Sequence, residues 1–418
     1  MKSTIEMIEF RASILALLVL TCSLSGCLNG EEKEEEEKSG FEWPEKVETD
    51  CNITGQTDLI CEYYATTGST PVLTLEDPLD DAIWLANLDG KITKMIHDNE
   101  EELPIQTSLI GDLSGIVSRC HNEQGLLGME FDEDYENTGR VLLVYNENNT
   151  CKSAKDSNVV LAHAKIVDGQ MQMQSLQVLI EVNKSNRNHN GGNIISIGNH
   201  QYVWSIGDGG SSFDPYGNGQ NSSSLLGTIQ LIHYENESII SVNGTNAPSY
   251  TLHYGLRNPW RIDLDPNGNL WIADVGQLCY EEVNVVPVMQ SSNFGWSERE
   301  GFHDLDRDGG CYENHSAENQ NFTDPVIEYS HNSIHCSIIG GYWMDWGPES
   351  LRDGYLYGDF CSGQLWIAKN FDGNWTAVDV GNVGTMIVGF GKGINDELLI
   401  FSWTGQIYQL HENHSFSE

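Results

Sequence analysis

The chain has 418 residues, 39% of them hydrophobic, which is enough to build a large core in one domain or several. Its 62 Asp and Glu outweigh 21 Lys and Arg for a formal net charge of −41, which argues against nucleic acid as a partner because phosphate binding needs clustered cations. That field suits a neutral or cationic small substrate or a divalent cation; solubility in a salty medium would also explain it.

Ala12 to Leu24 are almost continuously apolar, follow Lys2 and Arg11, and end at Leu24-Ser25-Gly26-Cys27. Small residues before a cysteine predict a lipoprotein signal peptide over 1–26 and lipidation at Cys27. The chain is then extracytoplasmic and held to a membrane by the lipid alone. An uncleaved anchor or an ordinary signal peptide is the alternative, but the run is short against the ~20 residues of a spanning helix. Glu6 and Glu9 depart from a basic leader. Residues 27–57 read as an acidic tether, because Glu31-Glu32-Lys33-Glu34-Glu35-Glu36-Glu37-Lys38 has nothing to bury.

From 58 to 412 the sequence reads as one all-β domain of short strands and turns. Strands are expected at Ala82–Ala86, Val141–Tyr145, Val159–His163, Tyr202–Ile206, Asn269–Ala273 and Leu398–Phe401. A loose unit recurs: a polar turn, an apolar strand, then a Gly/Asp exit. It appears at 199–208, 267–274, 353–359 and 395–402. Such repetition predicts a six-bladed β-propeller with about 50–60 residues per blade. A sandwich or two stacked barrels is the alternative.

Apart from Cys22 and Cys27, eight cysteines remain. An even number in an exported chain predicts disulfides. Pairing in sequence order gives Cys51–Cys61, Cys120–Cys151, Cys279–Cys311 and Cys336–Cys361, although sequence does not fix connectivity. Sequons at Asn52, Asn148, Asn221, Asn243, Asn321 and Asn374 predict exposed loops and a glycoprotein where the host glycosylates.

The candidate chemistry lies at strand ends, where loops present functional groups on a rigid sheet. His189, within Asn188-His189-Asn190-Gly191-Gly192, sits in polar surroundings and has the chemistry of a general base; a surface-loop histidine is the alternative. Arg257, before Asn258-Pro259, offers fixed donors to an oxyanion or a cofactor carbonyl; its alternative is an arginine bridging blades. Asp274-Val275-Gly276-Gln277 is a turn whose carbonyls can approach a hard cation. Glu281 and Glu282 suit Ca²⁺ or a solvated face. Asp304, Asp306 and Asp308 resemble the start of a calcium loop, but the twelfth position is His315 rather than Glu, which excludes an EF-hand and leaves a looser calcium turn. No GxSxG, HExxH, P-loop or helix-opening GxGxxG is present.

In order along the chain, Gly125-Leu126-Leu127-Gly128, the His189 loop, Gly207-Asp208-Gly209-Gly210, Leu225-Leu226-Gly227, Gly255-Leu256-Arg257-Asn258-Pro259, Asp274–Gln277 and Asn293-Phe294-Gly295-Trp296 resemble the landmarks of the soluble quinoprotein glucose/sorbosone dehydrogenase family. The likeness runs from about Asp80 to Leu410 and is nearest to its Hedgehog-interacting-protein-like branch. It implies a six-bladed propeller that binds pyrroloquinoline quinone (PQQ) and Ca²⁺ and oxidises a sugar or related alcohol by hydride transfer to the quinone, with an external electron acceptor. It further implies that His189 is the base and that Arg257 faces the quinone. Asn258, Gly209, Gly210 and Gln124 would contact the cofactor, and the Gly276 and Gln277 carbonyls would hold its Ca²⁺. One departure stands out. Asp359-Phe360-Cys361-Ser362-Gly363 has no arginine where the bacterial enzymes clamp the cofactor's carboxylates, so Arg352 or Lys392 would have to substitute. Loss of that clamp favours the other reading, a non-catalytic propeller that binds glycans or protein.

Overall fold

A computed structural model describes residues 51–55, 58–97, 105–147, 151, 158–240, 250–305 and 321–413. The signal segment, Cys27 and most of the acidic tether lie outside them, as do Asp306, Asp308, Cys311, Asn148 and Asn243. Among the described residues no helix is long and apolar enough to cross a membrane.

The chain folds as a six-bladed β-propeller of antiparallel meanders. Blade 1 contains Pro71–Glu76, Ile83–Asn87, Lys91–Ile96 and Ile105–Asp112, and blade 2 contains Leu126–Phe131, Arg140–Asn146, Val159–Val167 and Gln170–Val182. Blade 3 is built on Ile194–Gly198, Gln201–Ile206, Thr228–Glu235 and Tyr250–Tyr254. Blade 4 uses Pro259–Leu264, Asn269–Asp274, Tyr280–Pro287 and Ile327–Ser330; blade 5 uses Ile338–Trp343, Tyr355–Asp359, Gln364–Phe371 and Asn374–Asn382. In blade 6, Ile387–Lys392, Leu398–Ser402 and Gln406–Glu412 are joined by Leu59–Thr66 from the other end of the chain, in register from Leu59↔Glu412 to Thr66↔Gln406. That pairing closes the ring of blades.

The recurring sequence unit is the second strand of a blade. Ile83–Asn87, Tyr355–Asp359 and Leu398–Ser402 are buried at every position, because each has a strand on either side and a neighbouring blade on either face. Burial on both faces erases the alternation of a half-exposed strand and leaves an apolar run. Outer strands such as Asn374–Asn382 are mostly exposed and carry little pattern.

Three of the sequence-order disulfides form: Cys51–Cys61, Cys120–Cys151 and Cys336–Cys361. Cys279 is also disulfide-bonded. Of the sequon residues, Asn52, Asn221, Asn321 and Asn374 are exposed.

The inner strands surround an axial cavity to which every blade contributes, through Leu73, Met129, Ile194, Arg261, Gly340 and Phe390. Arg261 is 7% exposed. Its guanidinium donates to the carbonyls of Val72 at 3.1 Å, Leu127 at 3.3 Å and Trp260 at 3.0 Å, so it ties blades 1, 2 and 4 together. It also lies 4.7 Å from the Trp260 ring centroid. Burial lowers its pKa to about 10. The blade-bridging arginine is thus Arg261. Replacing it with methionine keeps much of the volume but strands three carbonyls; Arg261→Met is expected to cost about 2–4 kcal/mol in chemical denaturation. An unchanged midpoint would contradict the bridging role.

Candidate active site

In every blade the chain enters the inner strand from one face, and the turn after the second strand lies on that same face. The two meet. Asp208 lies two residues past the second strand of blade 3, and its Oδ1 is 2.7 Å from Nδ1 of His189 on the loop entering that blade. Oδ1 also accepts the Gly210 N–H at 2.8 Å, and Oδ2 accepts the Trp296 indole N–H at 2.8 Å. Burial pushes the Asp208 carboxyl up, but the His189 charge and hydrogen bond, the Arg257 charge and the Gly210 N–H outweigh it and hold the group below the usual carboxylate range. Asp208 is therefore an anion that accepts a hydrogen bond from Nδ1–H and leaves Nε2 as the unprotonated nitrogen of His189.

His189 is 4% exposed and adopts a left-handed backbone, φ 52°. Its loop is clamped from below. Glu123 accepts the His189 N–H at 2.6 Å, and the buried Lys184 ammonium donates to the carbonyls of Asn188 at 2.7 Å and His189 at 3.3 Å and to the Asn190 side chain. Burial brings Lys184 down to about 7 against the pull of Glu123 and Asp208. Gly209 and Gly210 lie beneath this loop. A Cβ on Gly210 would meet Asn188 Oδ1 at 2.2 Å, so glycine permits the close approach.

Arg257 enters from the adjacent loop. Asp274, at the end of the second strand of blade 4, accepts the N–H groups of Arg257 at 2.9 Å and Asn258 at 2.7 Å. The Asn258 side chain accepts the Gly191 N–H at 2.9 Å, and Asp208 N–H donates to the Arg257 carbonyl at 2.8 Å. Base loop and arginine loop are thereby locked together. Arg257 Nη1 reaches the Val275 carbonyl at 3.1 Å. Gln124 is fully buried where the chain enters blade 2, its Oε1 accepting Ser118 Oγ at 2.9 Å.

Beside Arg257, one oxygen of the Glu300 carboxylate accepts the N–H groups of Gln277, Leu278, Cys279 and Tyr280 at 2.7, 2.9, 2.8 and 3.1 Å. In a trans peptide C=O and N–H point oppositely, so the carbonyls of Gly276 and Gln277 project away from Glu300. Among the described residues neither carbonyl has a donor. Gly276 is required here, since a Cβ would meet the Tyr280 carbonyl at 1.9 Å.

The paired glutamates are buried, not solvated. Glu281 holds the Gly276 and Ile338 N–H groups and His331. Glu282 accepts Asn284 Nδ2 and the Gly301 N–H, both at 2.8 Å; burial, then Asp274, pushes it up to about 8. Asp304 sits in a two-residue ribbon opposite Arg299. Among the described residues no group of three or more His, Cys, Asp or Glu side chains is arranged to hold a metal ion, but a carbonyl site needs none. Arg352 and Lys392 lie at the opposite end of the blades, where Lys392 pairs with Glu76 and Asp396, so neither is the missing clamp.

A cation is nevertheless present on the base loop itself. Arg187 stands two residues before His189 and donates Nη2 to the Cys151 carbonyl at 2.7 Å. Its Nε, the Arg257 Nε and the Asn186 Nδ2 are buried with no acceptor among the described residues. Three orphan donors on the loops that carry His189 and Arg257 suit a ligand rich in carbonyl and carboxylate oxygens. PQQ, an ortho-quinone with three carboxylates, is such a ligand, and the free Gly276 and Gln277 carbonyls suit its hard cation.

Comparison with known proteins identifies the family and the fold. A family described as glucose/sorbosone dehydrogenase matches residues 80–380. The chain belongs to that family. The HIPL1 protein of Arabidopsis thaliana is 32% identical over 209 residues, which are 43% of this chain and 29% of that protein, so the shared segment spans under a third of the relative. The PQQ-bound aldose sugar dehydrogenase of Streptomyces coelicolor superposes with a TM-score of 0.62 at 19% identity, over 86% of this chain and 99% of that one. The apo aldose sugar dehydrogenase of Escherichia coli gives a TM-score of 0.65 at 16% identity, over 85% and 99%. At these identities the structures establish the propeller.

The sequence alone points to His189, Arg257 and the Gly276 turn. Asp208 and Trp296 stand in it only as letters of motifs, and Lys184, Arg187 and Glu300 are not singled out. The place of Asp208 at the exit of a repeating unit is the available signal. Glu300 has none, being 23 residues from Gln277.

Glu300→Ala should release the four N–H groups it gathers, at a cost of about 2–4 kcal/mol. Hydrogen exchange would show lost protection confined to residues 277–280. Unchanged exchange there would mean the turn holds its shape without the carboxylate.

Proposed function

We propose that the chain is an exported, lipid-anchored dehydrogenase that uses PQQ and Ca²⁺ to oxidise a CH–OH group of a sugar or related alcohol and passes the electrons to an external acceptor. The observation that carries this reading is the set of orphan donors, Arg187 Nε, Arg257 Nε and Asn186 Nδ2, on the loops that carry the His189–Asp208 dyad and Arg257. Family membership and fold support it, and Arg187 supplies a cation where the late-chain clamp is missing.

When bound, the quinone supplies the two-electron acceptor for the hydride that leaves the carbinol carbon, with calcium as its Lewis acid. This chain's residues manage the proton. His189 Nε2 takes the hydroxyl proton, and Asp208 stabilises the resulting imidazolium and fixes its tautomer. Removing proton and hydride leaves the carbonyl product. Arg257 and Arg187 orient the acceptor oxygens, and the Gly276 and Gln277 carbonyls would hold the cation. The near-complete burial of His189 keeps bulk water from its ring.

The refolded or secreted protein should take up PQQ in a Ca²⁺-dependent absorbance titration at micromolar concentrations and reduce a dye in the presence of aldoses. His189→Ala should bind PQQ nearly as well but turn over about 10²–10⁴-fold more slowly. Arg257→Ala should weaken cofactor binding itself. No uptake of PQQ at micromolar concentration would sink the enzyme reading and favour a binding propeller.

A further inference from the structure

Neither the base nor the cation assignment accounts for Trp296, the last residue of the Asn293-Phe294-Gly295-Trp296 motif. Blade 4 carries it back to blade 3 by an insertion in which Ser292–Asn293 pairs parallel to Tyr250–Tyr254. Its N–H donates to the Gly255 carbonyl at 2.9 Å, and its carbonyl accepts Gln220 Nε2 at 2.7 Å. A Cβ on Gly219 would meet the Trp296 carbonyl at 2.4 Å, so the blade 3 loop closes against it. The buried indole then touches both halves of the site. Its Nε1–H is 2.8 Å from Asp208 Oδ2, and the Arg257 guanidinium carbon lies 5.5 Å from its ring centroid. His189 and the Gly210 N–H share Oδ1 of Asp208, whereas among the described residues Oδ2 accepts from the indole alone.

We propose that Trp296 is a positioning residue for base and cation together: its N–H fixes the rotation of the Asp208 carboxylate, and its ring face seats Arg257. The kinetic consequences rest on the dehydrogenase reading; the geometry does not. The charged groups facing Asp208 are His189 and Lys184 from the segment entering blade 3, Arg257 from the loop entering blade 4 and Asp274 from its second strand. Removing the indole donor destabilises the carboxylate form of Asp208 against them, so its protonation moves to higher pH.

Two variants of the full chain separate the roles. Trp296→Phe keeps the ring and loses the N–H; Trp296→Leu loses both. In the cofactor-free protein, the carboxyl-carbon signal of Asp208, assigned with Asp208→Asn, should titrate about half a pH unit or more higher in Trp296→Phe than in the parent. The acid limb of turnover should move the same way, with PQQ affinity within about threefold of the parent. Trp296→Leu should in addition weaken PQQ binding by about 3–10-fold as Arg257 loses its seat. Superimposable Asp208 titrations in Trp296→Phe and parent would overturn the proposal, and should Trp296→Leu not fold, Trp296→Phe decides alone. The titration needs no cofactor, so a parent protein that takes up no quinone counts against the dehydrogenase reading and leaves the role of Trp296 to be decided by the titration.

Discussion

A propeller blade enters from a loop that crosses open space between two sheets, and something must fix that loop to the blade it feeds. In five of the six blades the fixing group is a polar residue at or just past the end of the second strand. Asn146 accepts the N–H of Gly125 at 3.2 Å in blade 2, Asp274 accepts those of Arg257 and Asn258 in blade 4, and Asp359 accepts those of Cys336 and Ser337 at 2.9 and 3.1 Å in blade 5. Ser402 meets Thr385 at 3.3 Å in blade 6. These residues are buried and their partners are mostly backbone, so each pin satisfies groups that would otherwise be stranded.

Blade 3 changes one detail of that device. Its pin, Asp208, holds a side chain of the entering loop instead of a backbone N–H, and the side chain is His189. A structural contact becomes a dyad without any change of architecture. The backbone job passes to Glu123 and Lys184, which hold the loop from below. Blade 4 keeps the ordinary arrangement, which delivers Arg257 to the same place. His189 and Arg257 are thus two outputs of one repeated contact, cross-braced by Asn258, by the Asp208 N–H and by the indole of Trp296.

The six-bladed ring is legible in the sequence because each second strand is sealed on both faces and so writes an apolar run ending in a polar residue. The base, the arginine and the carbonyl turn can be read because their glycine-rich surroundings are short and contiguous. What escapes is assembled by closure. Glu300 reaches Gln277 through a turn, and Trp296 reaches Asp208 across 88 residues. The paired Glu281 and Glu282 look like a solvated face because adjacent acids usually are, yet strand alternation sends them to opposite sides of a buried sheet. Arg187, which the sequence reading passes over, stands on the His189 loop beside a motif that the sequence displays openly.

The proposed function turns on buried donors without an acceptor among the described residues, on the loops of a tethered histidine and Arg257. A crystal structure of the protein grown with PQQ and Ca²⁺ tests this most directly. Quinone and carboxylate oxygens are expected within hydrogen-bonding distance of Arg257, Arg187 and Asn186, with the cation on the Gly276 and Gln277 carbonyls. Electron density for the quinone elsewhere, or those donors unchanged at saturating PQQ, would contradict it.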